Sequence, residues 1–186
     1  MSIFYHVDCN MSLKQGQKIE LVHYNDIKPE KLQKHIDKLF PQGFSDHGER
    51  YFLSNEIEVK FEKSRTNPNI LETNSNSKNA IIEILFEYVR RSHFFNKPSR
   101  FQSLHAFHSL DNAKYFMKKF SNSDGYIWKI ECNNAFKANM NLLKLEGSLL
   151  VLSFIAHEYW LGLPGRPNPF WEFLLSPPIK VLMRID

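Results

Sequence analysis

The chain has 186 residues, of which 42% are hydrophobic and 14% aromatic, and its 24 basic and 20 acidic residues give a formal net charge of +4. This composition argues against a disordered chain and predicts one domain over residues 1–186. No apolar run reaches about 18 residues, so no transmembrane helix or membrane partner is expected. Its basic residues are scattered, which is more typical of a solvated surface than of a dedicated nucleic-acid site.

The first 79 residues predict two short strands, one helix and a polar loop. The strands cover residues 3–7 and 17–23. The helix begins at Pro29, because proline is favoured in a first helical turn, and it stops at Pro41. Two further segments carry weaker patterns: residues 51–61, which predict either a strand pair or an irregular segment, and the Asn-rich residues 63–79, which predict a loop.

The remaining residues predict helices and strands without regular βα repetition. Apolar spacing predicts helices over residues 78–93, 110–120 and 146–160, the second of them with Ser109 as its N-cap. Strands are predicted over residues 99–107, 126–131, 170–175 and 179–185. This order argues against a doubly wound parallel sheet. We therefore expect an α+β fold with a split, mostly antiparallel β core and flanking helices.

Three short segments carry the candidate chemistry. The first is Tyr5-His6-Val7, on the first predicted strand. The second runs from Ser99-Arg100 through Ser103 and His105 to Tyr115, from a predicted strand into a predicted helix. The third reads Glu172-Phe173-Leu174-Leu175-Ser176-Pro177-Pro178 and lies at a late predicted strand.

Together these segments resemble the ADP-ribosyltransferase superfamily, in its His-Tyr-Glu type. Many members have a catalytic Glu at the start of a late strand that continues through apolar residues to Pro-Pro, which is similar to the segment at Glu172. The resemblance implies an ADP-ribosyltransferase-like fold that covers most of the chain. It also implies that His6 contacts the ribose of NAD and that Tyr115 flanks the nicotinamide ring.

The resemblance also implies a set of NAD-binding residues beyond Glu172. Arg100 and Ser103 lie at the polar start of the family's strand–helix unit. His105 occupies a strand position that is aromatic in the family, and the backbone of Val7 would contact the nicotinamide amide. Phe170 occupies the position two before Glu172 where arginine-specific members carry an acidic residue, so an arginine acceptor is not expected.

The chemistry of the implied reaction explains these residue types. Nicotinamide leaves NAD as a neutral ring, so no strong general acid is needed, and the transition state is oxocarbenium-like, as in glycoside hydrolysis. The Glu172 carboxylate would stabilise the positive charge and hold a 2′-hydroxyl. His6 would hydrogen-bond a ribose hydroxyl, Arg100 would pair with the pyrophosphate, and Tyr115 would stack on the nicotinamide.

Other kinds of site find little support in the sequence. His105, His108 and His157 do not have metal-ligand spacing, so we expect no metal. The seven glycines are dispersed and form neither a Walker loop nor a Rossmann fingerprint. Glu158 is a rival catalytic carboxylate, but it lies near the end of a predicted helix. Cys9 and Cys132 cannot form a disulfide framework and favour a reducing compartment.

We therefore expect a mono-ADP-ribosyltransferase that uses NAD as substrate and modifies a macromolecule, in the first place a protein. A nucleic-acid acceptor is a second hypothesis, since the sequence pI is about 9.0. A third is a non-catalytic nucleotide- or partner-binding module on a degenerate transferase fold. Single-domain relatives are often toxins or effectors, and the N-terminus lacks a standard secretory signal. This implies either a cytoplasmic protein or one delivered into a target-cell cytosol by a signal-less route.

Overall fold

A computed structural model describes residues 2–54, 62–63, 66, 71–72, 75–121 and 124–185. Within these residues the strands are β1 (Ser2–Asp8), β2 (Lys18–Ile19), β3 (Glu62–Lys63), β4 (Leu71–Glu72), β5 (Leu104–Ala106), β6 (Tyr126–Cys132), β7 (Ala135–Asn139), β8 (Trp171–Leu175) and β9 (Ile179–Arg184). The α-helices are α1 (Glu30–Leu39), α2 (Asp46–Gly48), α3 (Ser75–His93), α4 (Leu110–Phe120) and α5 (Leu149–Leu161). A π-helical turn, Glu49–Leu53, continues α2.

Two antiparallel sheets form the centre of the structure. One sheet has the strand order β1-β6-β9-β2 and the other has the order β5-β8-β7, while β3 and β4 pair separately. Every strand pair among the described residues is antiparallel. The predicted α+β class with mostly antiparallel sheets is confirmed.

The two central sheets meet at Tyr5 and then separate. Tyr5 and Phe107 exchange two backbone hydrogen bonds of 2.8 Å, which join β1 to the residue after β5. In a continued antiparallel ladder the next such pair would join Val7 to His105. Instead, the carbonyl of His105 accepts a hydrogen bond from Nδ1 of the His6 imidazole at 2.8 Å. A hydrogen bond from the His6 side chain thus replaces the next backbone pair at the point where β1 separates from β5.

α3, α4 and α5 pack against these sheets, and serine side chains cap the N-termini of α4 and α5. Ser109 accepts a hydrogen bond from the backbone of Asn112 and begins α4 as predicted. Ser148 caps α5 in the same way, so this helix begins later than predicted, and Gly162 ends it with a φ of 72°. The inner face of α5 packs in one core cluster with α3 and β8. Its outer face leaves Leu149 and Leu150 84% and 79% exposed.

Several predicted elements differ from the structure. Residues 99–107 do not form one strand, because the Ser99 side chain accepts from the backbone of Phe101 and bends the chain into a 3₁₀ turn, Arg100–Gln102, before β5. The predicted strand 17–23 is reduced to β2. The predicted loop 63–79 is wrong where β4 and the first turns of α3 lie, and the strand β7 was not predicted. Parts of both weaker segments, 55–61, 64–65, 67–70 and 73–74, lie outside the described residues.

Candidate functional site

Glu172 is a buried carboxylate on the central strand of the smaller sheet. β8 lies between β5 and β7, and side chains alternate between its two faces, so Glu172 and Leu174 both point to the interior. Only 2% of Glu172 is exposed. A charged group in such a position needs partners, because an isolated buried charge is very costly.

Arg100 and Tyr159 supply those partners on one oxygen of Glu172. Glu172 Oε1 accepts hydrogen bonds from Arg100 Nη1 at 2.7 Å and from the Tyr159 hydroxyl at 2.9 Å. Arg100 also donates to both oxygens of Glu83, at 2.7 Å and 2.8 Å. Its guanidinium therefore lies between two buried carboxylates, one on α3 and one on β8.

The electrostatics keep these three groups ionised. Burial raises the pKa of Glu172, but the adjacent Arg100 outweighs this effect and the pKa falls to about 2. Burial likewise opposes ionisation of Glu83, yet Arg100 and His47 hold its pKa well below the usual range. The pKa of Arg100 is raised well above its ordinary value because the two carboxylates outweigh its burial. The group of two carboxylates and one guanidinium carries a net charge of −1.

His105 faces the second oxygen of Glu172, with Nδ1 3.3 Å from Oε2. Its Nε2 lies 3.4 Å from the carbonyl oxygen of Arg100. Burial, followed by the nearby His47 and Arg100, lowers the pKa of His105 to about 4, so the ring is neutral near pH 7. A neutral imidazole has one N–H, so His105 donates to only one of these two acceptors at a time.

His6 is linked to this group through the backbone of His105. A carbonyl only accepts hydrogen bonds, so Nδ1 of His6 carries the proton in that contact. Burial lowers the pKa of His6, so its ring is neutral and its Nε2 is an acceptor. A hydroxyl group could donate to this nitrogen.

A small cavity of about 60 Å³ lies beside His6. Three carboxylates line it, from Asp8, Glu20 and Asp46, and its described lining residues include no lysine or arginine. Asp8 is fixed by a 2.9 Å hydrogen bond from the backbone of Leu13. The lining is therefore better suited to a neutral or cationic group than to a phosphate.

The structure brings some of the predicted site residues together and separates others. Glu172, Arg100 and His105 are in direct contact, and His6 joins them through a backbone oxygen. Arg100 was predicted to pair with a pyrophosphate, but its guanidinium is buried and is bound by Glu83, Glu172 and Tyr159.

In the described part of the chain, the side chains of the three other predicted residues form no hydrogen bond or ion pair with Glu172. Ser103 is buried and donates to the carbonyl of Ser99 at 2.7 Å. Val7 is buried in an apolar cluster with Phe107. Tyr115 is 50% exposed on α4, and its ring lies edge-on to Phe170 at 5.3 Å.

Glu83, Tyr159 and His47 belong to the site but were not found from the sequence. One available signal was the position of Glu83 on α3, where it lies beside the buried apolar residues Ile82 and Phe86. A charged residue inside an apolar helix face requires a buried partner. No local pattern marks Tyr159 or His47, whose partners come from distant segments.

Comparison with known protein families places the chain in one of them. A family described as "Protein of unknown function (DUF2441)" matches residues 4–186. The chain belongs to the DUF2441 family. None of the curated proteins compared with it matches. The family description assigns no activity, so the function of this DUF2441 protein has to be argued from its own residues.

The described residues contain neither a metal-ligand cluster nor a membrane-spanning helix. No cluster of three or more His, Cys, Asp or Glu side chains in them has the arrangement of a metal site. No helix among them combines the length and the apolar character that crossing a membrane requires.

Proposed function

We propose that this protein is an NAD-dependent mono-ADP-ribosyltransferase with an ADP-ribosyltransferase-like split β core. The main observation in support of the proposal is that His105 contacts both His6 and Glu172, the two residues on which the resemblance depends. Its carbonyl accepts from His6 at 2.8 Å, and its ring lies 3.3 Å from Glu172. The separation of β1 from β5 at His6 supports the split core.

In this proposal Glu172 stabilises the ribosyl cation that forms as nicotinamide leaves. Its low pKa makes it an anion at neutral pH, as the role requires. Arg100 and Tyr159 hold Oε1 by hydrogen bonds. Oε2 is therefore the oxygen that would face the ribose once the His105 ring moves away from it. His6 would accept a hydrogen bond from a ribose hydroxyl through Nε2.

Arg100 enters the proposal as a positioning residue, since both edges of its guanidinium are bound to carboxylates. The pyrophosphate of NAD would have to be held by other groups. The acceptor in the proposal is a macromolecule, in the first place a protein that is modified at a residue other than arginine, and the effector-like delivery implied by the resemblance belongs to the same proposal.

One observation favours a second function, a non-catalytic module that binds a nucleotide or a partner. Glu172 is 2% exposed and both of its oxygens have partners within the protein. Such a network is also what a purely structural buried ion pair requires. On this reading the nucleoside part of NAD or of another nucleotide would lie beside His6, with its phosphates held elsewhere, and would not be cleaved.

Nicotinamide release from NAD tests the two functions against each other. Purified wild-type protein is compared with Glu172→Gln, in buffer and with a cell lysate as the source of acceptor. The matched control is Glu158→Gln, which changes a partly exposed carboxylate on α5. Circular dichroism and calorimetric titration with NAD report whether each variant folds and binds.

A transferase predicts release by the wild type and by Glu158→Gln, and a loss of at least 100-fold in a folded Glu172→Gln variant. NAD binding without release by the wild type would favour the binding module. If the wild type neither released nicotinamide nor bound NAD, both functions would be rejected.

A further inference from the structure

Two histidine–glutamate pairs lie side by side in this site. His105 Nδ1 lies 3.3 Å from Glu172 Oε2, and His47 Nε2 lies 3.2 Å from Glu83 Oε1. The two imidazole rings are stacked, with centroids 4.2 Å apart. Arg100 lies between the two carboxylates and bonds to both at 2.7 Å. We call these five residues the paired-histidine cluster.

The two histidines differ in how their nitrogens are used. Both nitrogens of His105 face acceptors, Glu172 and the carbonyl of Arg100. For His47, Nε2 is buried and lies close to Glu83, but not in hydrogen-bond geometry, so it has no hydrogen-bond partner among the described residues. Its Nδ1 likewise makes no hydrogen bond to the described residues. Nε2 therefore has the Glu83 carboxylate as its electrostatic neighbour, and Nδ1 is the nitrogen left for a substrate.

A carboxylate behind an imidazole determines what the imidazole can do. The ionised Glu83 carboxylate can only accept hydrogen bonds, so its closeness to Nε2 favours the His47 tautomer with the proton on that nitrogen. Nδ1 then carries the lone pair and can accept a proton. The carboxylate also stabilises the imidazolium that this transfer creates, which is the arrangement of carboxylate-backed histidines in hydrolases.

His47 directly follows two residues of the cavity next to His6, although it is not itself one of the lining residues. Ser45 and Asp46, which immediately precede it, both line that cavity. The His47 side chain is 21% exposed, whereas that of its partner Glu83 is 8% exposed. The base is therefore nearer to solvent than the carboxylate behind it.

We infer that His47 is the general base that removes the proton from the acceptor in ADP-ribosyl transfer, and that the acceptor is a hydroxyl group rather than a carboxylate. This inference rests on the proposed function. The bond between ribose C1′ and the nicotinamide nitrogen breaks, and nicotinamide leaves with the electron pair of that bond. A lone pair of the acceptor oxygen forms the new bond to C1′, and the hydroxyl proton moves to Nδ1 of His47. A carboxylate acceptor has no proton to lose and would not need this base.

Several charged and titratable groups face His47. Glu83 approaches from α3 and His105 from β5. Tyr51 packs its ring 4.7 Å from the imidazole, from the π-helical turn. Arg100 lies behind Glu83 and Glu172, and Asp46 adjoins His47 in α2.

The test uses two small nucleophiles that differ in whether they carry a proton to be lost. Methanol must lose a proton when it attacks C1′, whereas azide attacks as an anion without losing one. Wild type and His47→Gln are incubated with NAD, methanol and azide together, and the two ADP-ribosyl products are separated and measured from pH 5 to pH 9. The matched control is His35→Gln, which changes an exposed histidine on α1.

If His47 is the base, His47→Gln shifts the ratio of azide product to methanol product at least tenfold toward azide, because general-base catalysis contributes about 10²–10⁴-fold. Methanol transfer falls in the same variant at each pH while azide transfer does not, and His35→Gln behaves as the wild type. An unchanged product ratio would overturn the role of His47, even if both products fell together because the variant was misfolded or bound NAD poorly. If the wild type formed neither product and released no nicotinamide, the proposed function itself would fail, and the inference with it.

Discussion

Arg100 and Glu172 are in contact in the protein interior, with Nη1 2.7 Å from Oε1, although 72 positions separate them in the chain. The contact joins the 3₁₀ turn before β5 to the central strand of the smaller sheet. Glu83 holds the other edge of the same guanidinium, so the two carboxylates depend on one cation. Loss of that cation would leave two buried negative charges without compensation.

Arg100→Leu is therefore expected to lower the free energy of unfolding by about 3–5 kcal/mol. The matched control is Arg166→Leu, because Arg166 pairs with Glu146 while 35% and 47% of the two side chains are exposed. Exposed pairs contribute about 1 kcal/mol or less. Urea denaturation measures both. A loss in Arg100→Leu no larger than in Arg166→Leu would show that the buried network does not stabilise the fold.

The stability of the protein should fall in two stages as the pH is lowered. His105 has a folded pKa of about 4, and the pKa of His6 is also lowered. Since the unfolded histidines take up protons below about pH 6.5, stability is lost between about pH 6.5 and pH 4. Glu172, with a folded pKa of about 2, adds a second loss as the pH falls from about 4.5 toward 2.

Each stage should lower the free energy of unfolding by on the order of 3 kcal/mol, as expected for a group whose pKa is shifted by two to three units. Urea denaturation at a series of pH values measures it, and His105→Asn should reduce the upper stage. His35→Asn serves as the control, since His35 is exposed on α1. A free energy of unfolding that stayed constant from pH 7 to pH 4 would contradict the burial of neutral histidines.

Gly48→Ala should destabilise the protein and disturb the position of His47. A Cβ at Gly48 would lie 2.1 Å from the backbone oxygen of Phe101, and backbone cannot move aside cheaply. Gly16→Ala is the control, because its Cβ would meet nothing within 4 Å and the only cost is the positive φ of 81°. Thermal unfolding should show a larger loss for Gly48→Ala. An equal fall in Tm in the two variants would mean that α2 can move away from Phe101 without destabilising the protein.

Tyr115→Leu tests whether this exposed residue contributes to NAD binding, as the resemblance implies. Tyr115 is 50% exposed on α4, so its removal should affect stability little. If its ring stacks on nicotinamide, the Kd for NAD should rise about 3–10-fold, since aromatic pairs contribute about 0.5–1.5 kcal/mol. Tyr88→Leu, at a tyrosine 56% exposed on α3, is the control in the same calorimetric titration. Equal Kd values in both variants would remove Tyr115 from the site.

Local signals in the sequence were sufficient for some elements and not for others. α4 was predicted with its observed ends because its N-cap, Ser109, and its apolar spacing lie within a dozen residues. β7 was not predicted, since its short sequence has a weak alternation and its pairing with β8 depends on a segment more than 30 residues away. Long-range pairing decides such strands, and local propensity does not.

The same distinction holds within the site. Glu172 could be selected because a run of seven residues around it resembles a known motif. Glu83 and Tyr159 could not, because their roles come from contacts with Arg100 across 17 and 59 positions. The sequence also suggested an external phosphate as the partner of Arg100, because a sequence alone does not distinguish a solvent-facing arginine from a buried one.

The position of β1 between the two sheets affects how the chain can fold. Its ladder partner, β6, lies more than 110 residues further along, and its second neighbour is Phe107. Closing loops of this length costs entropy before any pairing energy is gained, so folding should be slow for a chain of this size. As the chain emerges from the ribosome, β1 cannot form its ladder until residues 126–132 have been made. The segment that carries His6 is therefore exposed to proteases and to non-native strand pairing during synthesis, and the site is among the last parts of the molecule to assemble.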